Sequence, residues 1–420
     1  MNGMKCITRA LSIFVILVLS GCPAEKTETL KREKLFELQI GKMEDQLDML
    51  QVPDQPVRKK TRIFMRNGLF YLSDGNSSKL MEFTSYGDIL SLYYNPAENP
   101  EPILLRRTGE AVEEGTVSNR RAFQYPFREV GELGITSDKI LLVEERVPEI
   151  QQEYDEDIEA MLNRVVLRFD SRGNYMDYLG QEGVGGTPFS YIESIQVTER
   201  DEIVVISRSV QYWMVFWFNR QGSLLYRATV SRTNLPIPEG SDFLPSLESI
   251  FADTDEYLLY LKIDYYGTNR ETDDLGMKNI DYQMSKIWWY DLEKETYGGF
   301  LDIPVRVEEF KTSEFDKGRK IRRLYTLLGT ADKDVFFLMT HYREDLFELI
   351  ILRRDGSVLT RNFIEIPEKP VMYRDFHLSE SGVLSALLVK EYSADVVWWR
   401  TDRFLEEGDE TGIVSGNVGY

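Results

Sequence analysis

The chain has 420 residues, with 70 Asp and Glu against 50 Lys and Arg, for a formal net charge of −20. That balance fits neither nucleic acid nor direct electrostatic docking on anionic lipid. Two cysteines and two histidines leave little for disulfides, thiolate zinc or histidine triads, while 23 Tyr, 22 Phe and 6 Trp argue against disorder.

The chain opens on Lys5 and Arg9, then an apolar run from Ala10 to Leu19. That run is shorter than the roughly 20 residues a bilayer-spanning helix needs. A basic start, a short apolar core and small residues at its end predict a secretory signal peptide over residues 1–21. Leu19-Ser20-Gly21-Cys22 resembles the bacterial lipobox, which implies an acylated Cys22 as the mature N-terminus. Cys6 leaves with the signal, so the mature domain keeps no free thiol. A multiply acylated cysteine satisfies the need of stable anchoring for more than one chain. The expected location is the cell envelope, outside the cytoplasm.

Residues 22–34, rich in Lys, Glu and Thr, read as a solvated tether, and residues 35–420 as one domain. So long a domain exceeds the usual single-core limit of about 250–300 residues, which repeat folds escape by adding units. Residues 35–50 carry two patterns. Leu35 to Ile40 alternates apolar and polar like a strand that could close a ring. Phe36, Ile40, Met43, Leu47 and Leu50 alternatively form a helical stripe.

From about Arg62 onward, one signal recurs. An apolar strand runs into a short turn, often with glycine, and then into another apolar pair. It appears as Phe83-Thr-Ser-Tyr-Gly87, Phe169-Asp-Ser-Arg-Gly173, Phe218-Asn-Arg-Gln-Gly222 and Leu352-Arg-Arg-Asp-Gly356. Degenerate copies run from Tyr290 to Tyr297 and from Trp399 to Leu405. Each copy follows an earlier β-rich run, such as Leu69 to Leu72, Ile203 to Ile206 or Val335 to Met339, and short strands such as Ile195 to Val197 or Phe376 to Leu378 stand further upstream. Four strands per unit and six units predict an all-β, six-bladed β-propeller. The 49-residue step from Gly173 to Gly222 suits its period. Longer steps carry insertions, one acidic and helix-like over residues 149–162, one polar over residues 266–276.

The stretches Tyr71 to Leu90 and Phe169 to Ile206 resemble NHL-type repeats. With the lipobox, the chain is similar to six-bladed propeller lipoproteins of spirochaetes. The resemblance implies fold and location and little about activity.

Some six-bladed propellers resembling lactonases hold a divalent metal with Glu, Asn and Asp at the channel. Asp74, Asn76, Asp170, Asp201 and Asp253 are available, but Asp and Asn in turns ordinarily bond their own backbone. His341 and His377 sit at strands, where a lone histidine is ordinarily structural. Gly183-Val-Gly-Gly186 reads as an inter-blade turn, and no nucleophile elbow or phosphate loop occurs. Trp213, Trp217, Trp288, Trp289, Trp398 and Trp399 fall on third-strand positions, read as core between blades. No catalytic, cofactor or metal residue is assigned, and Cys22 is the one site residue. The expected function is a lipid-anchored module that binds a protein, peptide or glycan. The alternative is a metal-dependent, lactonase-like or lyase-like enzyme using channel carboxylates.

Overall fold

A computed structural model describes residues 28–49, 59–107, 120–272, 278–310, 319–331, 335–367 and 369–405. The signal segment, Cys22 and most of the tether lie outside the described residues.

The chain is a six-bladed β-propeller with four-stranded antiparallel blades. The six inner strands, in ring order, are Thr61–Arg66, Val130–Ile135, Tyr191–Val197, Leu244–Ala252, Thr326–Ala331 and Tyr373–Leu378. Each blade then runs outward strand by strand. Blade three, for example, continues through Ile203–Arg208, Tyr212–Phe218 and Leu224–Ser231. Three blades gain extra outer strands. Arg121–Gln124 adds in parallel to blade one, Gly183–Val184 extends blade two, and Thr29–Leu30 lies parallel to the outer strand of blade five.

Blade six is completed by the other end of the chain. Glu33–Gln39 pairs antiparallel with Ser393–Trp399, from Glu33 opposite Trp398 to Gln39 opposite Ser393. Lys34 Nζ lies 2.8 Å from Asp395, and the Trp398 indole donates to Glu33 at 2.9 Å. Phe36 enters the core beside Phe83 and Phe70, with ring centroids 5.4 and 5.9 Å away.

The central strands read as unbroken apolar runs because both faces of each sheet are buried. Among the described residues the buried side chains form six clusters, one at each blade-to-blade interface. Successive residues of one strand serve opposite interfaces. Ile203 and Val205 pack toward blade two, and Val204 and Ile206 pack toward blade four. All six tryptophans lie on third strands, with Trp217 and Trp399 fully buried.

The recurring glycine turns share one geometry. Gly87, Gly173, Gly222 and Gly356 have φ between 83° and 88°, and each amide donates to the carbonyl three residues back. The strand pairing shifts register at each of these turns, so the turn and the bulge form one unit. Glu295 takes the equivalent place in blade four at φ 54°, a left-handed conformation that costs a side chain.

The acidic insertion is not helical. One 3-10 turn, Glu149–Gln151, leads into a hairpin of Glu153–Asp155 with Ala160–Leu162. Asp155 accepts from the amides of Asp157 and Ile158, a local turn that competes with helix. Six carboxylates stacked along one helix would also repel one another. The polar insertion extends the middle strands of blade four into a long hairpin, Leu258–Thr272 with Lys278–Asp291.

Two glycines with the same φ separate backbone strain from packing. An alanine at either position pays about 1–2 kcal/mol for the left-handed conformation. At Gly356 a Cβ meets nothing within 4 Å, whereas at Gly173 it lies 2.2 Å from Phe123 Cε1. Gly173→Ala is therefore expected to lose a further 1–3 kcal/mol, roughly, from overpacking. Urea midpoints for the two variants check this; equal midpoints would refute the packing account.

Candidate functional site

The inner strands run side by side around the channel, so the connections fall on two faces. On the lower face, where the inner strands end, the described connections are tight turns. Thr136, Thr198 and Ser379 each begin the first-to-second-strand turn of their blade, and each hydroxyl accepts the amide four residues ahead. Lys139, Asp201 and Gly382 take the left-handed position in these turns.

The long connections all belong to the upper face, where the inner strands begin. They comprise the described parts of the connectors that leave Gln39, Tyr94, Ser231 and Ile303, the acidic hairpin of blade two and the extended hairpin of blade four. Most exposed large apolar residues sit there too, including Ile103, Ile150, Val210, Ile280 and Tyr392.

The channel holds a cavity of about 510 Å³ lined by residues from all six inner strands. Its middle is apolar, with Phe64, Leu133, Ile195, Phe251, Leu328 and Phe376. Charge gathers at the ends and is already paired. At the upper end Arg62 Nε lies 2.9 Å from Glu132, which also meets Lys60 at 3.3 Å. Lys60 in turn lies 2.8 Å from Glu144, and the Arg62 guanidinium donates to Tyr373 Oη at 2.9 Å. At the lower end Arg66 lies 3.0 Å from Glu380.

An inner strand is a sheet edge, and its outward amides and carbonyls need partners. Neighbouring blades supply them. Asp375 Oδ2 accepts the Ile63 amide at 2.7 Å, and His377 Nδ1 accepts the Met65 amide at 3.2 Å. Gln196 accepts from the Ala252 amide at 2.8 Å and donates to the Ile250 carbonyl at 3.0 Å. Burial pushes Asp375 up to about 7 despite nearby Arg62 and the Ile63 amide. Burial, aided by Arg66, brings His377 down to about 3. The ring is therefore neutral at pH 7. With Nδ1 accepting, its proton sits on Nε2.

The five Asp and Asn candidates do not converge. Asp74 is buried and accepts amides of Asp48, Asn76 and Ser77; burial lifts it to about 6 against the pull of Lys79. Asn76 donates to the Asp48 carbonyl, and Asp170 caps its own turn through Arg172 and Asn174. Asp201 ties blade three to blade two by accepting from the amide and hydroxyl of Ser137. Asp253 lines the cavity but accepts amides of Asp255 and Glu256 and the Tyr260 hydroxyl. His341 lies in the second strand of blade five, 2.9 Å from the Glu344 carbonyl and edge-on to Phe347. Among the described residues no group of three His, Cys, Asp or Glu is placed to hold a metal ion.

Sequence reasoning did not single out Gln196, Asp375 or the Arg62–Glu132 pair. The available signal was a polar residue inside an otherwise apolar inner strand, as in Ile195-Gln196-Val197.

No protein-family model matches the chain, and no curated protein matches it. Solved structures similar to it include a calcium-binding regucalcin from Agrobacterium tumefaciens at 9% identity, covering 89% of this chain and 96% of that one, TM-score 0.37. An ulvan lyase, a polysaccharide lyase, is 10% identical over 88% of this chain and 83% of that one, TM-score 0.40. A member of the DUF4221 family from Bacteroides vulgatus is 11% identical over 90% of this chain and all of that one, TM-score 0.36. Likeness at this level says nothing of chemistry; the fold rests on the strand pairing of the chain itself.

Asp375 and His377, both on the blade-six inner strand, oppose each other in pH dependence. Asp375 has a folded value above its unfolded one, so its contribution is complete below about pH 4 and is lost as pH rises through about 7. His377 has a folded value below its unfolded one, so its contribution is complete above about 6.5 and is lost as pH falls toward 3. Asp375→Asn keeps an acceptor for the Ile63 amide and removes only the first effect. Its melting temperature relative to the parent should therefore climb between about pH 4 and 7 and level off above that. Parallel melting profiles for the two proteins would contradict this account.

Proposed function

We propose that this protein is a lipid-anchored binding platform of the cell envelope, carried on Cys22. Its upper face would present loops and hairpins to a protein, peptide or glycan. The observation that carries this reading is the confinement of the long connections to one face of the ring. Variable connections on a rigid scaffold are the usual site of recognition. The lipobox and the resemblance to spirochaetal propeller lipoproteins support the anchor. The tether is short on this reading. Glu28 is held at the outer edge of blade five, its amide donating to Asn362 at 2.8 Å. Six residues back to Cys22 reach at most about 20 Å, which keeps that rim near the membrane.

A metal-dependent lactonase-like or lyase-like activity finds no specific support in the channel. Glu132 and Glu380 are spent on arginines, Asp375 on a strand edge and Asp253 on its own turn.

Two experiments test the proposal. Cys22→Ala should move the protein from the detergent phase to the aqueous phase in a phase-partition assay. Retention in the detergent phase would count against the anchor. Cross-linking in intact cells should recover a defined partner from the parent protein. Recovery should fall at least tenfold when residues 149–162 are replaced by a two-residue Asn-Gly turn. An unchanged recovery, or none with the parent, would remove support for the upper face as a platform.

A further inference from the structure

Two arms of opposite charge rise from the upper face. The hairpin of blade two carries Glu149, Glu153, Asp155, Glu156, Asp157 and Glu159, with no Lys or Arg between residues 147 and 163. No ion pair reaches any of these six among the described residues. The second arm joins blade four to blade five. Its strands are Arg306–Phe310, which carries Glu308 and Glu309, and Arg319–Arg323, which reads Arg-Lys-Ile-Arg-Arg. Glu308 lies 3.1 Å from Arg306 and 2.9 Å from Arg323, and Arg306 also meets Glu348, so the two strands are basic by five charges to two. The arms stand on opposite sides of the channel, since blades two and five face each other across the ring. No hydrogen bond or ion pair joins them among the described residues.

Each arm also exposes apolar side chains. Ile150 and Tyr154 are 93% and 59% exposed on the acidic arm, with Met161 beside them. Val307 and Ile321 are 52% and 36% exposed on the basic arm, with Val305 beside them. Exposed apolar side chains set among charges on a projecting arm match the make-up of an interface.

We propose that the upper face is an isologous interface between two copies of this chain, the acidic arm of each copy seated on the basic arm of the other. The choice of a second copy rests on complementarity: one chain carries both halves of the contact, in charge and in apolar character. A two-fold axis lying between stacked upper faces, along the bisector of the arms, makes both contacts at once. That bisector passes between blades three and four on one side and between blades six and one on the other. The chain enters the domain at the adjoining rim of blades five and six, where Glu28 meets Asn362 and Glu33 begins pairing. Both N-termini therefore emerge on the same half of the stacked rings, one blade to either side of the axis. Two copies anchored in one membrane can pair without straining either tether, although the contact itself does not depend on the anchor.

Sedimentation velocity of the purified full chain in detergent tests the proposal. A monomer–dimer equilibrium is expected that weakens at least tenfold as salt rises from about 0.05 to 0.5 M. Reversing the acidic arm (Glu153→Lys, Glu156→Lys, Asp157→Lys) should abolish the dimer, as should reversing the basic arm (Arg322→Glu, Arg323→Glu). Mixing the two reversed proteins should restore it, because one then carries two basic arms and the other two acidic ones. Covalent trapping supplies an independent readout. Ile150→Cys and Ile321→Cys chains should form a disulfide-linked pair when mixed, and far less when each is oxidised alone. The parent remaining monomeric at about 100 μM in low salt, or failure of the mixed reversed chains to pair, would overturn the proposal. So would capture of a different protein by the acidic arm with no self-association, an outcome that leaves the platform reading standing.

Discussion

Every blade of this ring is buried on both faces, and that constraint governs the rest. A four-stranded sheet exposed on either face would present a row of Val, Ile, Leu and Phe to water, at roughly 1.5–3 kcal/mol for each large side chain. No blade can escape this alone, so stability lives in the interfaces between neighbours. The interface of blades six and one is assembled from the two ends of the chain. Phe36 and Leu38 pack there with Phe70, Phe83, Leu387 and Val396. Closing it joins residues more than 300 positions apart, a loop-closure cost that only a completed ring recovers.

The same constraint explains the channel. Closing a ring of radial sheets places six unpaired strand edges around one axis. Asp375, His377 and Gln196 each bridge from their own inner strand to the next one, replacing the ladder partner that the geometry denies. The displaced proton affinities of Asp375 and His377 follow from that duty, because a carboxyl or imidazole buried against a strand edge loses the water that would stabilise its charge. Perturbed groups in a cleft often mark an active site. Here the bonds they make account for them, and the arginines at the channel ends are occupied in the same way. The cavity is thus polar at its ends and apolar in its middle.

The turns were legible in sequence because their chemistry is local. Gly87, Gly173, Gly222 and Gly356 mark a left-handed residue that any neighbouring sequence would need in that turn. The strands were legible because a sheet buried on both faces leaves long apolar runs, as in Trp213 to Phe218. The acidic insertion was misread because Ile150, Tyr154, Ile158 and Leu162 recur every fourth residue, a helical spacing. The hairpin wins because the two ends of the insertion belong to adjacent antiparallel strands and Asp155 caps a turn between them. The bonds of Asp375 and His377 were not legible at all. Their acceptors are called for by amides at Ile63 and Met65, brought close only when the ring shuts.

The two faces differ in how much change they can absorb. On the lower face the glycine turns between third and fourth strands couple a left-handed residue to a register shift, and Gly173 and Gly382 are backed by Phe123 and Leu405. An added residue there would slide a strand and turn its side chains from one interface to the other. On the upper face the connectors leave from strand ends and pass over the rim, so length can be added without moving the core. Insertions gather there for that physical reason, and so do the charged arms and the exposed apolar residues. If Cys22 is lipidated as proposed, an anchor at the blade five–six rim would set how this face is presented. With the chain entering from the side of the ring, the channel axis could then lie along the membrane, and the upper face would look sideways rather than at the lipid. A surface turned that way would meet other molecules held in the same membrane.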